Sequence, residues 1–156
     1  MNKLAFIISL LLLAVGCADA PEEQAALAAP VVLTPEERAD IAIQAAVASW
    51  TEAVGWAPAI EHVRFEEPDS DKDRTMAMWS ESTRTLIIVP VRIGDDQARW
   101  NMTVMHELGH AYGLGHSADP SALMNATPST APCVHEADAA ALRALDIEAH
   151  ANCGAQ

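Results

Sequence analysis

The sequence predicts an α+β fold. Three observations carry that expectation. Two segments have helix start signals ahead of apolar residues at helical spacing, short alternating runs lie between them, and another helical segment closes the chain. Helix, short strands, helix, loop and helix, in that order, is the pattern of an α+β domain. A length of 156 residues favours one such domain.

The first element stands apart from the fold. "MNKLAFIISLLLLAVGC" has a basic Lys3, an apolar run from Leu4 to Val15, and small residues before Cys17. The run is shorter than the roughly 20 residues that span a bilayer. It reads as the hydrophobic region of a signal peptide over residues 1–16. "LAVGC" resembles a bacterial lipobox, in which the signal is removed and the new N-terminal cysteine carries lipid. That resemblance makes Cys17 the lipidation site; an ordinary signal peptide or an uncleaved anchor is the alternative. Residues 17–33 are rich in Ala, Glu and Pro without periodicity and read as a tether. The folded domain is then residues 34–156, exported and either lipid-anchored in the bacterial envelope or extracellular.

Thr34 can cap the first helix, Pro35 suits its first turn, and Glu37 completes a capping box. Ile41, Ile43, Val47, Trp50 and Val54 supply its apolar positions, and Gly55 ends it. "IEHVRFEE" (Ile60–Glu67) alternates weakly and reads as a strand. "PDSDKD" is a polar turn. "TMAMWSESTRTLIIVPVRI" reads as two strands joined near Glu81–Thr83, and Pro90 weakens the second or places it at an edge. Asp95 or Asp96 caps a second helix that runs into "HELGHAYGLGHS" (His106–Ser117). "HEADAAALRALDIEAHA" is the last helix, with Leu142, Leu145 and Ile147 on or near one face. Trp50, Trp56, Trp79 and Trp100 are expected in the core, because Phe and Tyr are scarce.

Composition limits the partners. The formal net charge is −13, and removal of the signal would take away one more lysine. Such a surface repels nucleic acid and anionic lipid. Membrane attachment must then come from the lipid on Cys17. The chain is expected to be a monomer. With Cys17 acylated, Cys133 and Cys153 remain, and in an oxidising compartment two leftover cysteines usually pair. Two free thiols are the alternative.

The chain has six histidines, and three fall within "HELGHAYGLGH". His106 and His110 are four apart on a predicted helix, so their imidazoles share a face one turn apart and can hold one metal ion. Zinc suits neutral imidazoles. Glu107 lies beside the first ligand and can act as a general base toward water at an open metal position. Gly113 and Gly115 allow a sharp turn that swings His116 back as a third ligand. Three protein ligands with one open position describe a catalytic rather than a structural zinc site.

"HELGHAYGLGH" resembles the HExxHxxGxxH signature of metzincin metallopeptidases. Ser117 after the third histidine, and Met124 eight residues past it, resemble the matrixin branch, the family of matrix metalloproteases. The resemblance implies a compact zincin domain. Its parts are a short twisted mixed sheet, an N-terminal helix, an active-site helix, a Met-turn at Met124 and a C-terminal helix. It implies one catalytic zinc and hydrolysis of protein or peptide substrates. It departs from the family in three places. No PRCGxPD segment precedes the domain. Only His62 lies between the signal and His106, which disfavours a second, structural zinc. "NATPS" follows Met124 where the family has a proline–tyrosine segment.

The remaining signals are weaker. "DSDKD" (Asp69–Asp73) imitates the start of a calcium loop, but Arg74 replaces its glycine and Ser80 its bidentate glutamate. A solvated turn fits better. His135 and His150 read as surface or helix-end residues. The competing class of function is a zinc- or peptide-binding surface lipoprotein without turnover. Glu107 argues against it, since merely holding metal does not need that carboxylate.

Overall fold

The computed structural model describes residues 32–70, 74–127 and 132–153. The readings placed on the signal peptide, Cys17, nearly all of the tether, and residues 71–73 lie outside them. The elements are helix α1 (Pro35–Val54), strands β1 (His62–Phe65), β2 (Ala77–Ser80) and β3 (Thr85–Ile88), a one-turn helix α2 (Pro90–Ile93), and helices α3 (Gln97–Ala111) and α4 (Glu136–Arg143). This is an α+β domain with a small mixed sheet.

Local chemistry sets the start and end of α1. The Thr34 hydroxyl accepts from the Glu37 N–H and the Glu37 carboxylate accepts from the Thr34 N–H. Gly55 closes the helix at φ 85°, a left-handed conformation that costs glycine little. The buried stripe differs from the expected one. It consists of Ala39, Ala42, Ala46, Trp50 and Ala53, whereas Ile41 is exposed. α1 packs chiefly on α3, and small side chains let the two backbones come close. Trp50 fills the seam, and its indole N–H donates to the Met105 carbonyl at 3.0 Å. Truncating such a buried indole costs about 3–5 kcal/mol.

The strand order is β1-β3-β2, with β1 parallel and β2 antiparallel to the central β3. His62 stands opposite Thr85, and Ala77 opposite Ile88. All four residues of β3 are buried, as suits the central strand, which is paired on both sides. Pro90 therefore does not put this strand at an edge. The strand stops at Ile88, and Pro90 opens α2, where a missing N–H costs nothing. Between β2 and β3, Glu81–Thr83 form a single 3-10 turn ended by Arg84 at φ 46°.

The last helix is shorter than its composition suggests. α4 ends at Arg143, Asp146 takes φ 59°, and the Ile147 N–H turns back to the Leu142 carbonyl. Leu142 is buried, but Leu145 is exposed and Ile147 only flanks the core. The tail then runs back along α1. The His150 N–H donates to the Ala53 carbonyl, and the Asn152 amide donates to the Ser49 carbonyl at 2.8 Å. A Cys133–Cys153 disulfide fixes this tail to the loop ahead of α4. Of the four tryptophans, Trp50 and Trp100 are fully buried and Trp79 packs against the core. Trp56 is half exposed and packs on Tyr112 with the rings tilted at 58°.

Candidate metal centre

α3 carries the first two histidines. Asp96 caps it, accepting from the Ala98 N–H. Helical pitch brings His106 and His110 to one face, with ring centroids 5.0 Å apart. The helix ends in a turn that also serves the site. Gly113 takes φ 86°, its N–H donates to the His110 carbonyl, and the Leu114 N–H reaches back to the Gly109 carbonyl. That pair of bonds is a Schellman closure, and it reverses the chain within a few residues. His116 consequently returns to the other two, with ring centroids 5.3 Å from His106 and 5.0 Å from His110. One ring nitrogen from each of the three lies within 4.8 Å of the others.

Backbone carbonyls orient the first two rings. His106 Nδ1 lies 2.9 Å from the Leu123 carbonyl and His110 Nδ1 lies 2.7 Å from the Leu114 carbonyl. A carbonyl can only accept, so Nδ1 carries the proton and Nε2 keeps its lone pair for a metal. Burial pushes the His106 pKa down, against an opposing push from the Leu123 carbonyl. A depressed pKa keeps the ring neutral, as a ligand must be. Three converging neutral imidazoles form a donor set that fits zinc.

Glu107 borders the same region, with His106 and His116. It is buried, and its Oε2 accepts from the Trp79 N–H of β2 at 3.0 Å. Burial raises its pKa, while His110 and the Trp79 N–H pull it down. A cleft of about 360 Å³ opens here, lined by His106, Glu107 and His116, by Thr103 of α3, and by Arg74 to Ala77 ahead of and within β2.

Met124 is buried at 1% exposure. It packs directly on Gly109. A β-carbon at that glycine would sit 2.2 Å from the Met124 sulfur. The loop that presents Met124 is tied at both ends. The Ser117 N–H donates to the Met124 carbonyl at 2.7 Å. The Leu123 and Met124 N–H groups donate to the Asp138 carboxylate at 2.8 and 3.0 Å. Asp138 sits on α4, is 1% exposed, and also accepts from the His135 N–H. One chain of contacts thus runs from α4 through Asp138 and Leu123 to the His106 ring.

Sequence reasoning missed both Gly109 and Asp138. Gly109 carried a readable signal: glycine inside a helix costs about 1 kcal/mol against alanine, so it needs a packing reason. Asp138 carried none, because an acidic residue in a first helical turn looks like routine capping.

The other expected residues fall elsewhere. Cys133, His135 and Cys153 come within 4.8 Å of one another, but both sulfurs are committed to the disulfide and cannot ligate. His135 precedes α4 as its cap, and His150 is exposed. Arg74 borders the cleft and Ser80 ends β2, while the last three residues of "DSDKD" (71–73) lie outside the described residues. Among the described residues no helix is long and apolar enough to cross a membrane.

The family model described as Matrixin matches residues 55–149, well over half of the chain. No curated protein matches it.

Proposed function

This chain belongs to the matrixin family of zinc metallopeptidases, and on that footing we propose that it is an endopeptidase using one zinc ion and Glu107 as general base. The observation that carries the reading is the placement of Glu107. Its carboxylate is buried in the cleft beside three converging histidines and held by a β2 N–H. A site that only stored metal would have no use for it.

His106, His110 and His116 would hold the ion, and Met124 would serve as the Met-turn beneath them. Zinc, when bound, supplies Lewis acidity toward the scissile carbonyl and toward water. The Trp79 N–H fixes Oε2 and so orients the carboxylate. Oε1 is then the atom that takes the proton from the attacking water and passes it to the leaving amine nitrogen. Burial favours this transfer, because it makes the carboxylate a stronger base than an exposed one. The apolar run after Lys3, with the small residues ahead of Cys17, supports an exported protein anchored by lipid on Cys17.

Glu107→Gln tests the mechanism in the full-length, zinc-loaded protein. Zinc content should stay the same, and hydrolysis of a peptide library should fall by at least about 10²–10⁴-fold. A chelator should stop the wild type. Unchanged cleavage by Glu107→Gln would remove the general base. A wild type that holds zinc and cuts nothing would favour the binding lipoprotein.

A further inference from the structure

We propose that Cys133, His135 and Cys153 form a second zinc site, separate from the three histidines, which becomes available when their disulfide is reduced. The proposal goes beyond the peptidase reading and does not depend on it. In the oxidised chain the two sulfurs are bonded to each other and cannot ligate. A dithiol supplies two electrons and two protons, so that two protein thiols form and the dithiol becomes a disulfide. Zinc then binds two thiolates and one imidazole, and the two thiol protons are released. Oxidation of the pair by a foreign disulfide reverses the sequence and expels the ion.

The ligands are held together by more than the disulfide. Cys133 and Cys153 have Cα atoms 5.1 Å apart. Val134, between Cys133 and His135, is fully buried. Its carbonyl accepts from the Asn152 and Cys153 N–H groups at 3.0 and 3.3 Å. Its own N–H donates to Asn152 Oδ1 at 2.8 Å. The Asn152 amide is tied in turn to the Ser49 carbonyl of α1. Reduction breaks none of these bonds, so the thiols stay beside each other and beside the imidazole.

The spacing suits zinc. Bonds of about 2.3 Å to sulfur and about 2.0–2.1 Å to nitrogen set the ligand atoms of a tetrahedron about 3.5–3.8 Å apart. His135 Nε2 lies 3.8 Å from Cys133 Sγ, and all three ligand atoms lie within 4.8 Å of one another. Thiolates with an imidazole are a donor set that zinc prefers, and three of them leave the fourth position to water. The three residues are half-buried, within reach of a reductant and an ion. A disulfide needs no imidazole beside it, and histidine is not among the residues that favour a helix N-cap. A ligand role accounts for His135 at this place.

The test counts metal in the full-length protein, oxidised and reduced. A phosphine serves as reductant, because a dithiol would itself hold zinc. Zinc per chain should rise by one on reduction. With cobalt in place of zinc, the reduced protein should gain a thiolate-to-metal charge-transfer band, which histidines alone cannot give. His135→Ala should weaken the added site at least about 100-fold, since losing a supporting bond alone costs about 10–100-fold. Replacing both cysteines by serine should abolish the band. No added zinc on reduction overturns the proposal, and so does an equally tight site in His135→Ala. A reduced chain that unfolds with zinc present, by circular dichroism, overturns it as well, because the bonds around Val134 must hold. A rise from none to one would leave this site standing and remove the three-histidine centre.

Discussion

Asp138→Asn should damage a site that the residue never touches. The carboxylate is 1% exposed and accepts three backbone N–H groups, from Met124 on Oδ1 and from Leu123 and His135 on Oδ2. Asparagine has one acceptor oxygen. In its better orientation it keeps Leu123 and His135, and its NH2 then confronts the Met124 N–H across 3.0 Å. A hydrogen bond to a charged group contributes about 1.5–3 kcal/mol, and an orphaned buried donor costs about 1–3 kcal/mol. A neutral amide is cheaper to bury than a carboxylate, which offsets part of the loss. The net expectation is about 2–4 kcal/mol, a large share of the roughly 5–15 kcal/mol that holds a domain folded. Urea unfolding of the chelated protein, followed by tryptophan fluorescence, measures it. The second effect reaches the metal. Loosening Leu123 frees the carbonyl that orients His106, and losses of such supporting bonds weaken zinc about 10–100-fold. A chelator competition reads that number. A loss under about 1 kcal/mol with unchanged zinc affinity would refute the chain of contacts from α4 to the ring.

Two further outcomes follow from features away from the histidines. Replacing Cys133 and Cys153 by serine opens a bridge that spans 20 residues. It should cost about 3 kcal/mol by loop-closure entropy and leave zinc affinity nearly unchanged; a larger effect on zinc than on unfolding would contradict the reading. Cys17→Ser should abolish incorporation of labelled fatty acid, and equal labelling of the variant would end the lipoprotein proposal.

What could be read from the sequence was what depends on a few neighbouring residues. The α1 boundaries follow from Thr34, Glu37 and Gly55, whose hydrogen bonds are local. The meeting of the three histidines follows from helical pitch and one left-handed glycine. What could not be read depends on partners far along the chain. The alanine stripe of α1 outranks its isoleucines only because α3 comes close. α4 stops early because Asp146 turns and the tail finds Ala53 and Ser49 on α1. Pro90 misled because a proline after a strand reads as an edge signal, whereas here it starts a helical turn. The scarcity of Phe and Tyr points Trp56 inside, wrongly. Its carbonyl accepts from the Tyr112 hydroxyl, which leaves its ring outside as a cover on that tyrosine.

The contact between Gly109 and Met124 has a consequence for how this sequence can change over generations. A methyl group at position 109 and the present thioether would compete for the same space, one approaching from α3 and the other from the loop below. A larger residue on the helix becomes tolerable once the flexible end of Met124 moves aside or position 124 becomes smaller. With Met124 only 1% exposed, there is little room for that movement. A side chain gained at 109 in descendants of this chain should therefore be accompanied by change at 124 more often than at an exposed position.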